Sequence, residues 1–165
     1  MESVEELVAV HGRALFRLAF MLTGEHYAAE DLYQETLMLL HRHWTRVAKA
    51  QNAGAYAKKA MVNAYTSDRR RRSSTEVVSE SPHNDREPSV DGIEAQAVER
   101  DRLWLLLTQL PRAERAALVL RFYEDLSDRQ AAELLGCRAS TVRANTARAL
   151  ARLREQSVSE GQVLP

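Results

Sequence analysis

LSDRQAAELLGCRASTVRANTARALARLR, residues Leu126–Arg154, carries the pattern on which the fold turns. Ser127 and Gln130 form an S-x-x-Q capping box, which satisfies backbone N–H groups at a helix start and opens a short helix with Ala131, Leu134 and Leu135 on its apolar side. Gly136 then permits a tight turn. A longer helix begins near Ser140, with Val142, Thr146, Ala149 and Leu153 on its inner side and Arg143, Ala144, Ala147 and Arg148 facing out. A short helix, a glycine turn and a longer arginine-bearing helix make a helix-turn-helix. In a major groove such arginines pair bidentately with guanine or clamp phosphates, and the small Ala144 and Ala147 let the backbone approach base edges; Arg138 sits near the helix start. The competing reading is a solvated arginine-rich helix in a generic bundle. Cap, glycine and period together favour the groove-reading helix.

Upstream, helical periodicity resumes at Glu94 and runs through Leu103, Trp104, Leu106 and Leu107 to Leu110, where Pro111 forces a break; a second piece spans Arg112 to about Tyr123. Before it, SSTEVVSESPHNDREPSVDGI, residues 73–93, has no apolar period and too little to bury, so it reads as a flexible acidic and polar linker. The first third of the chain is helical again. Ser3 and Glu6 open a helix with Leu7, His11, Leu15, Leu18 and Leu22 at helical spacing, ended by Gly24. From Ala28, the positions Leu32, Thr36, Leu37, Leu40, Trp44 and Val47 predict one long amphipathic helix. After a short connection from Gln51 to Gly54, a third runs from about Ala55 to Arg72, with Tyr56, Ala60, Asn63 and Ser67 along one side.

The expected fold is therefore all-α: two small helical domains, residues 1–72 and 94–156, joined by a flexible linker at 73–93 and followed by a tail at 157–165. Six glycines and four prolines among abundant Ala, Leu, Arg and Glu agree, and 45% hydrophobic residues suffice for buried cores. The lone Cys137 excludes an internal disulfide, and five scattered histidines offer no metal-ligand spacing. His41 and His43, two apart on a helix, point apart; Trp44, Trp104 and Cys137 read as packing residues. Nothing implies a cofactor or a metal. No apolar run reaches a membrane span, and the acidic start (Glu2, Glu5, Glu6) is unlike a signal peptide, so a soluble cytoplasmic protein is expected.

A formal net charge of zero conceals segregation along the chain. Residues 1–41 hold seven acids against two bases, 42–72 nine bases against one acid, 73–101 eight acids against two bases, and 137–155 five arginines against Glu155. Because screening acts over about 8 Å at physiological salt, a phosphate feels the local island rather than the total. The first basic island combines Lys58, Lys59 and Arg69, Arg70, Arg71 and Arg72 with Tyr56, Tyr65 and Asn63, the materials for following and reading unpaired bases, although a charge run alone is as often a solvated helix end. Glu30, Asp31, Gln34 and Glu35 share one strip of the preceding helix, which repels DNA and suits a basic protein partner. Paired carboxylates also serve acid–base chemistry, but here no histidine, glycine loop or nucleophile accompanies them, so no enzyme is expected.

AEDLYQETL (Ala29–Leu37) resembles the region two signature of sigma factors, and Leu126–Arg154 resembles their region four helix-turn-helix. AYAKKAMVNAYTSDRRRR (Ala55–Arg72) resembles the end of region two as found in the actinobacterial SigE-type group of extracytoplasmic-function (ECF) sigma factors. The matches keep the family's order and cover nearly the whole chain except linker and tail. The resemblance implies an alternative sigma factor that binds core RNA polymerase, recognises the −10 and −35 promoter elements and promotes transcription initiation. It implies that Glu30, Asp31, Gln34 and Glu35 dock on the β′ clamp and that the early helices of region four rest on the β flap. It assigns flipped −10 bases to Asn63 and to the loop around Val47 to Gly54, with Tyr56, Lys58 and Lys59 beside them, and upstream DNA backbone to Arg69–Arg72. It assigns the −35 duplex to Arg138, Ser140, Thr141, Arg143, Ala144, Ala147 and Arg148, and it leaves room for an anti-sigma factor as a partner.

Two departures bear on residue-level transfer. Arg138 stands where the family usually has a small capping residue, and Ser140 where glycine is frequent, which leaves open where the recognition helix starts. The tail after Glu155 is too short for the C-terminal domain some relatives carry. The alternatives are a free-standing helix-turn-helix regulator, which needs a dimer interface and has no use for the acidic strip, and a nucleic-acid-processing enzyme, which needs a metal or nucleophile site.

Overall fold

A computed structural model describes residues 2–75, 102 and 105–159. Helix α1 (Val4–Thr23) begins where Ser3, in extended backbone, accepts the Glu6 N–H on its hydroxyl oxygen at 3.2 Å, with Glu5 and Glu6 complementing the positive helix end. Only half of the expected box forms, because the Glu6 carboxylate accepts from the Glu2 N–H instead, at 2.9 Å. The helix ends at Gly24, whose φ of 71° is the left-handed geometry of a C-terminal cap; its N–H donates to Phe20 O at 2.7 Å.

The long second helix expected from the apolar stripe is two helices, α2 (His26–Arg42) and α3 (Trp44–Lys49), parted at His43. The stripe runs through the break without glycine or proline, so the pattern hides it. The turn lays a fully buried Val47 in the core and lets α3 pack on α4 (Ala53–Thr75). An Asn52 carboxamide oxygen accepting from the Ala55 N–H at 3.0 Å opens α4 earlier than the expected Ala55. The helix also continues to Thr75, over the first three positions assigned to the linker. Residues 76–93, Glu94, Leu103, Trp104 and positions 160–165 of the tail lie outside the described residues.

Leu7, Leu15, Leu18 and Leu22 of α1, Leu40 of α2, Val47, and Met61 and Val62 of α4 form the centre of the first unit. Truncating one such leucine to alanine typically costs about 2–5 kcal/mol. Thr36 is as buried as these leucines and remains satisfied because its hydroxyl donates to Leu32 O at 2.7 Å. Gly54 sits where α1 and α4 approach closely: a Cβ there would lie 2.7 Å from the His11 ring.

In the second unit the described residues 102 and 105–108 are helical; the chain breaks at Pro111 and continues as α5 (Arg112–Leu118), which widens into a π-helical turn over Val119–Tyr123. Ser127 and Gln130 make the full reciprocal capping box of α6 (Asp128–Leu135), at 3.1 and 2.9 Å. Gly136, with φ of 68°, turns the chain into α7 (Ala139–Ser159). Buried Glu114 reaches Arg152 at 2.8 Å and ties α5 to α7.

The two units do not stand apart. Ala116, Ala117, Val119, Leu120, Ala131, Ala132 and Val142 belong to the same apolar cluster as the leucines of α1, and a smaller cluster of Leu107, Leu110, Leu118, Ala149 and Leu153 closes the far side of the second unit.

Candidate nucleic-acid and polymerase interface

The outer face of α7 is as the period predicts. Val142, Thr146, Ala149 and Leu153 are buried, while Arg143, Ala147 and Arg148 are exposed and Ala144 is half-buried. The helix opens at Ala139, one residue ahead of the expected Ser140, with the Arg138 carbonyl accepting from Thr141 and Val142 N–H at 3.0 and 3.2 Å. Arg138, Ser140 and Thr141 therefore crowd the exposed start of α7, where free N–H groups and the helix dipole favour a phosphate. Arg148 reaches Asn145 at 3.3 Å. Cys137, expected to pack, is exposed in the turn that follows the left-handed Gly136.

On α4, Lys59 and Asn63 are exposed and Tyr56 is half-buried along one stripe of the helix. Lys58 points off this stripe and pairs with Glu124 of the second unit at 3.1 Å. Tyr65, expected among the base-stacking aromatics, is 2% exposed: its ring lies in the core beneath Arg112, 5.5 Å from the guanidinium, so it cannot stack on a base. The connection before α4 is corrected likewise. Val47 and Gly54 are buried, which leaves Ala48, Lys49, Gln51 and Asn52 as its exposed surface. Arg69–Arg72 fall on the last turns of α4, and their side chains lie outside the described residues.

On α2, Glu30, Asp31 and Gln34 are exposed and Glu35 half-buried; His26 meets Glu30 at 3.0 Å. Asp31 and Glu35 border a cavity of about 110 Å³ that Tyr65 and Arg112 also line. Tyr27 and Met38, exposed on the same helix, flank the polar strip with apolar surface.

Sequence reasoning missed Arg115. It is 5% exposed, and it donates from Nε to Leu22 O at 3.1 Å, from Nη2 to Thr23 O at 2.9 Å and from Nη1 to Leu110 O at 3.2 Å. Burial pushes its guanidinium below the ordinary arginine range, a shift opposed by the nearby Tyr65 hydroxyl and reinforced by Arg112. The only local signal is an arginine inside the apolar run that follows Glu114.

Among the described residues no group of three His, Cys, Asp or Glu side chains is placed to hold a metal ion, and no helix is long and apolar enough to cross a membrane.

Residues 7–75 match the family described as Sigma-70 region 2, and residues 100–153 that described as Sigma-70, region 4. The chain is 36% identical over 152 residues to an RNA polymerase sigma-E factor of Streptomyces avermitilis, covering 92% of this chain and 83% of that protein. It is 31% identical over 159 residues to the ECF RNA polymerase sigma factor SigE of Mycolicibacterium smegmatis, covering 94% of this chain and 62% of that protein. The fold is similar to that of the sigma factor RpoE, solved in complex with the anti-sigma factor NepR from Bartonella quintana, with a TM-score of 0.69 and 24% identity over 94% of this chain and 96% of that one.

Proposed function

We propose a division of labour within this chain, which belongs to the extracytoplasmic-function sigma factors, the sigma-70 family subunits that serve RNA polymerase in transcription initiation. As such it binds core polymerase and promoter DNA and is a non-catalytic subunit. We assign region two to residues 1–72 and region four to 94–156, with 73–93 as linker and 157–165 as tail.

In this reading Glu30, Asp31, Gln34 and Glu35 of α2 dock on the β′ clamp, and the exposure of Glu30, Asp31 and Gln34, with Glu35 half-buried beside them, supports it. Tyr56, Lys59 and Asn63 of α4 meet the unpaired −10 strand: the asparagine amide bonds a base edge while the lysine follows the backbone. Lys58 and Arg69–Arg72 extend the basic surface. Captured bases offset unstacking, at a few kcal/mol per flipped base. On α7, Arg143 and Arg148 read the −35 duplex, with Arg138, Ser140 and Thr141 at its start on phosphate and Ala144 and Ala147 giving close approach. The earlier helices of region four rest on the β flap. The work is cytoplasmic, beside the polymerase, and an anti-sigma factor is the natural regulator.

The observation that carries this reading is the clean segregation of α7 behind a fully formed capping box and glycine turn. Mixing the chain with core polymerase tests it: co-elution and promoter-dependent transcripts are expected, and a chain that neither co-elutes nor directs transcription overturns it.

A further inference from the structure

The two arginines on the outer face of α7 are held in different ways. Arg143 donates from Nε to Asp128 Oδ2 at 3.3 Å, reaching across to the first residue of α6. The other oxygen of that carboxylate, Oδ1, meets Arg121 Nε at 2.7 Å, and Arg121 is itself tied down by an Nη1 bond to Leu126 O. One carboxylate is thus fixed from behind by a half-buried arginine and grips an exposed one in front. Arg148 instead spends a terminal amino group, Nη1, on Asn145 of its own helix at 3.3 Å.

That difference bears on what each arginine can recognise. A guanine edge presents two acceptors, O6 and N7, and takes two parallel N–H donors from one guanidinium. An arginine gripped at Nε keeps both terminal amino groups for that edge; one gripped at Nη1 has divided its fork. Phosphate sets no such condition, and the Asp128 carboxylate repels it. Fixing the side chain beforehand also removes part of the ordering cost of binding. As a source of stability the pair counts for little, because the Arg143 side chain is 68% exposed and such ion pairs nearly break even. Its position is what gives it value. Arg143 lies in the first turns of α7, the part of a recognition helix that meets base edges, with the small Ala144 and Ala147 beside it.

We propose that Asp128 is a positioning residue for promoter recognition: rooted on Arg121, it grips Arg143 by Nε, aims the two terminal amino groups into the major groove and commits Arg143 to a guanine of the −35 element rather than to phosphate. The inference rests on the −35 reading of α7 and goes further, since it assigns one base and the carboxylate that selects it. Without Asp128 the arginine still binds DNA, but it swings to whichever phosphate is nearest.

The test uses holoenzyme reconstituted from core polymerase and the full chain, with a pool of promoter duplexes randomised across the −35 element; bound duplexes are sequenced to give the base preference at each position. Parent, Arg143→Ala, Asp128→Ala and the isosteric Asp128→Asn are compared, with far-UV circular dichroism to check that each folds. The expected result is a guanine preference at one position that Arg143→Ala removes and that falls by about tenfold in Asp128→Ala and in the same direction in Asp128→Asn, while preferences at the other positions and binding to unrelated duplex do not fall. In an Arg143→Ala background, Asp128→Ala should change that position no further. Preferences weakened alike at every position would give Asp128 a merely structural role and overturn the proposal. If Arg143→Ala removes a guanine preference that both folded Asp128 variants retain, the positioning role fails and the reading of α7 stands. If Arg143→Ala changes no −35 preference, the proposal and the reading of that face fall together.

Discussion

Asp128 at the start of α6 holds Arg143 of α7 at 3.3 Å and Arg121 at 2.7 Å, so a single carboxylate pairs with an outward-facing arginine of α7 before any DNA arrives. Phosphate has to compete with that carboxylate. Replacing Asp128 with Asn should raise affinity for nonspecific duplex and steepen its salt dependence by the charge released, while costing about 0.3–1 kcal/mol at the helix start. Titrations at two salt concentrations check this, and an unchanged salt slope would show that Asp128 does not restrain the arginine.

Arg143→Ala and Arg148→Ala should separate reading from clamping. Loss of a base-reading arginine costs about 1–3 kcal/mol and relaxes preference at one −35 position, whereas loss of a phosphate contact weakens all sequences alike and lowers the salt slope by about one. Transcription from a panel of −35 variants distinguishes them. If neither replacement changes −35-dependent output, the outer face of α7 is not the reading face.

Paired replacement of Asp31 and Glu35 by lysine should weaken binding to core polymerase and leave helicity intact, because Asp31 is exposed and Glu35 half-buried at a cavity rim on α2. Co-elution with core beside a circular dichroism spectrum is the measurement. Undiminished co-elution of the folded double variant removes this face from the polymerase interface.

Asn63→Ala should reduce open complexes on duplex promoters far more than closed complexes, because the −35 contacts remain. A pre-melted −10 bubble should restore part of the loss, since unstacking has already been met in the template. Permanganate reactivity of −10 thymines beside a gel shift reads both. Equal loss in the two, unrescued by the bubble, would assign Asn63 to docking.

Ser127→Ala should lower stability by about 0.5–2 kcal/mol, as it removes the hydroxyl that accepts the Gln130 N–H. Denaturant titration gives the value; no change would mean that water replaces the cap without loss.

Features set by near neighbours were legible in the sequence. Ser3, Gly24, Ser127 and Gly136 end or open helices through bonds to residues within a few positions, so their chemistry is local. The α7 face followed from period alone. What escaped the sequence depends on distant partners. The apolar stripe continues through His43 and conceals the break that α3 makes to pack on α4. Tyr65 looked available for stacking because nothing nearby in sequence announces Arg112 above it. Arg115 bonds carbonyls more than ninety positions away, and a charge in a helix ordinarily reads as solvated.

The composition of the second unit's interior ties its stability to that of the first. Much of what it buries is alanine, at Ala116, Ala117, Ala131, Ala132 and Ala149, and each contributes far less apolar area than the leucines of α1. Packed against the first unit, this thin interior shares one continuous cluster and unfolds with it as one cooperative body.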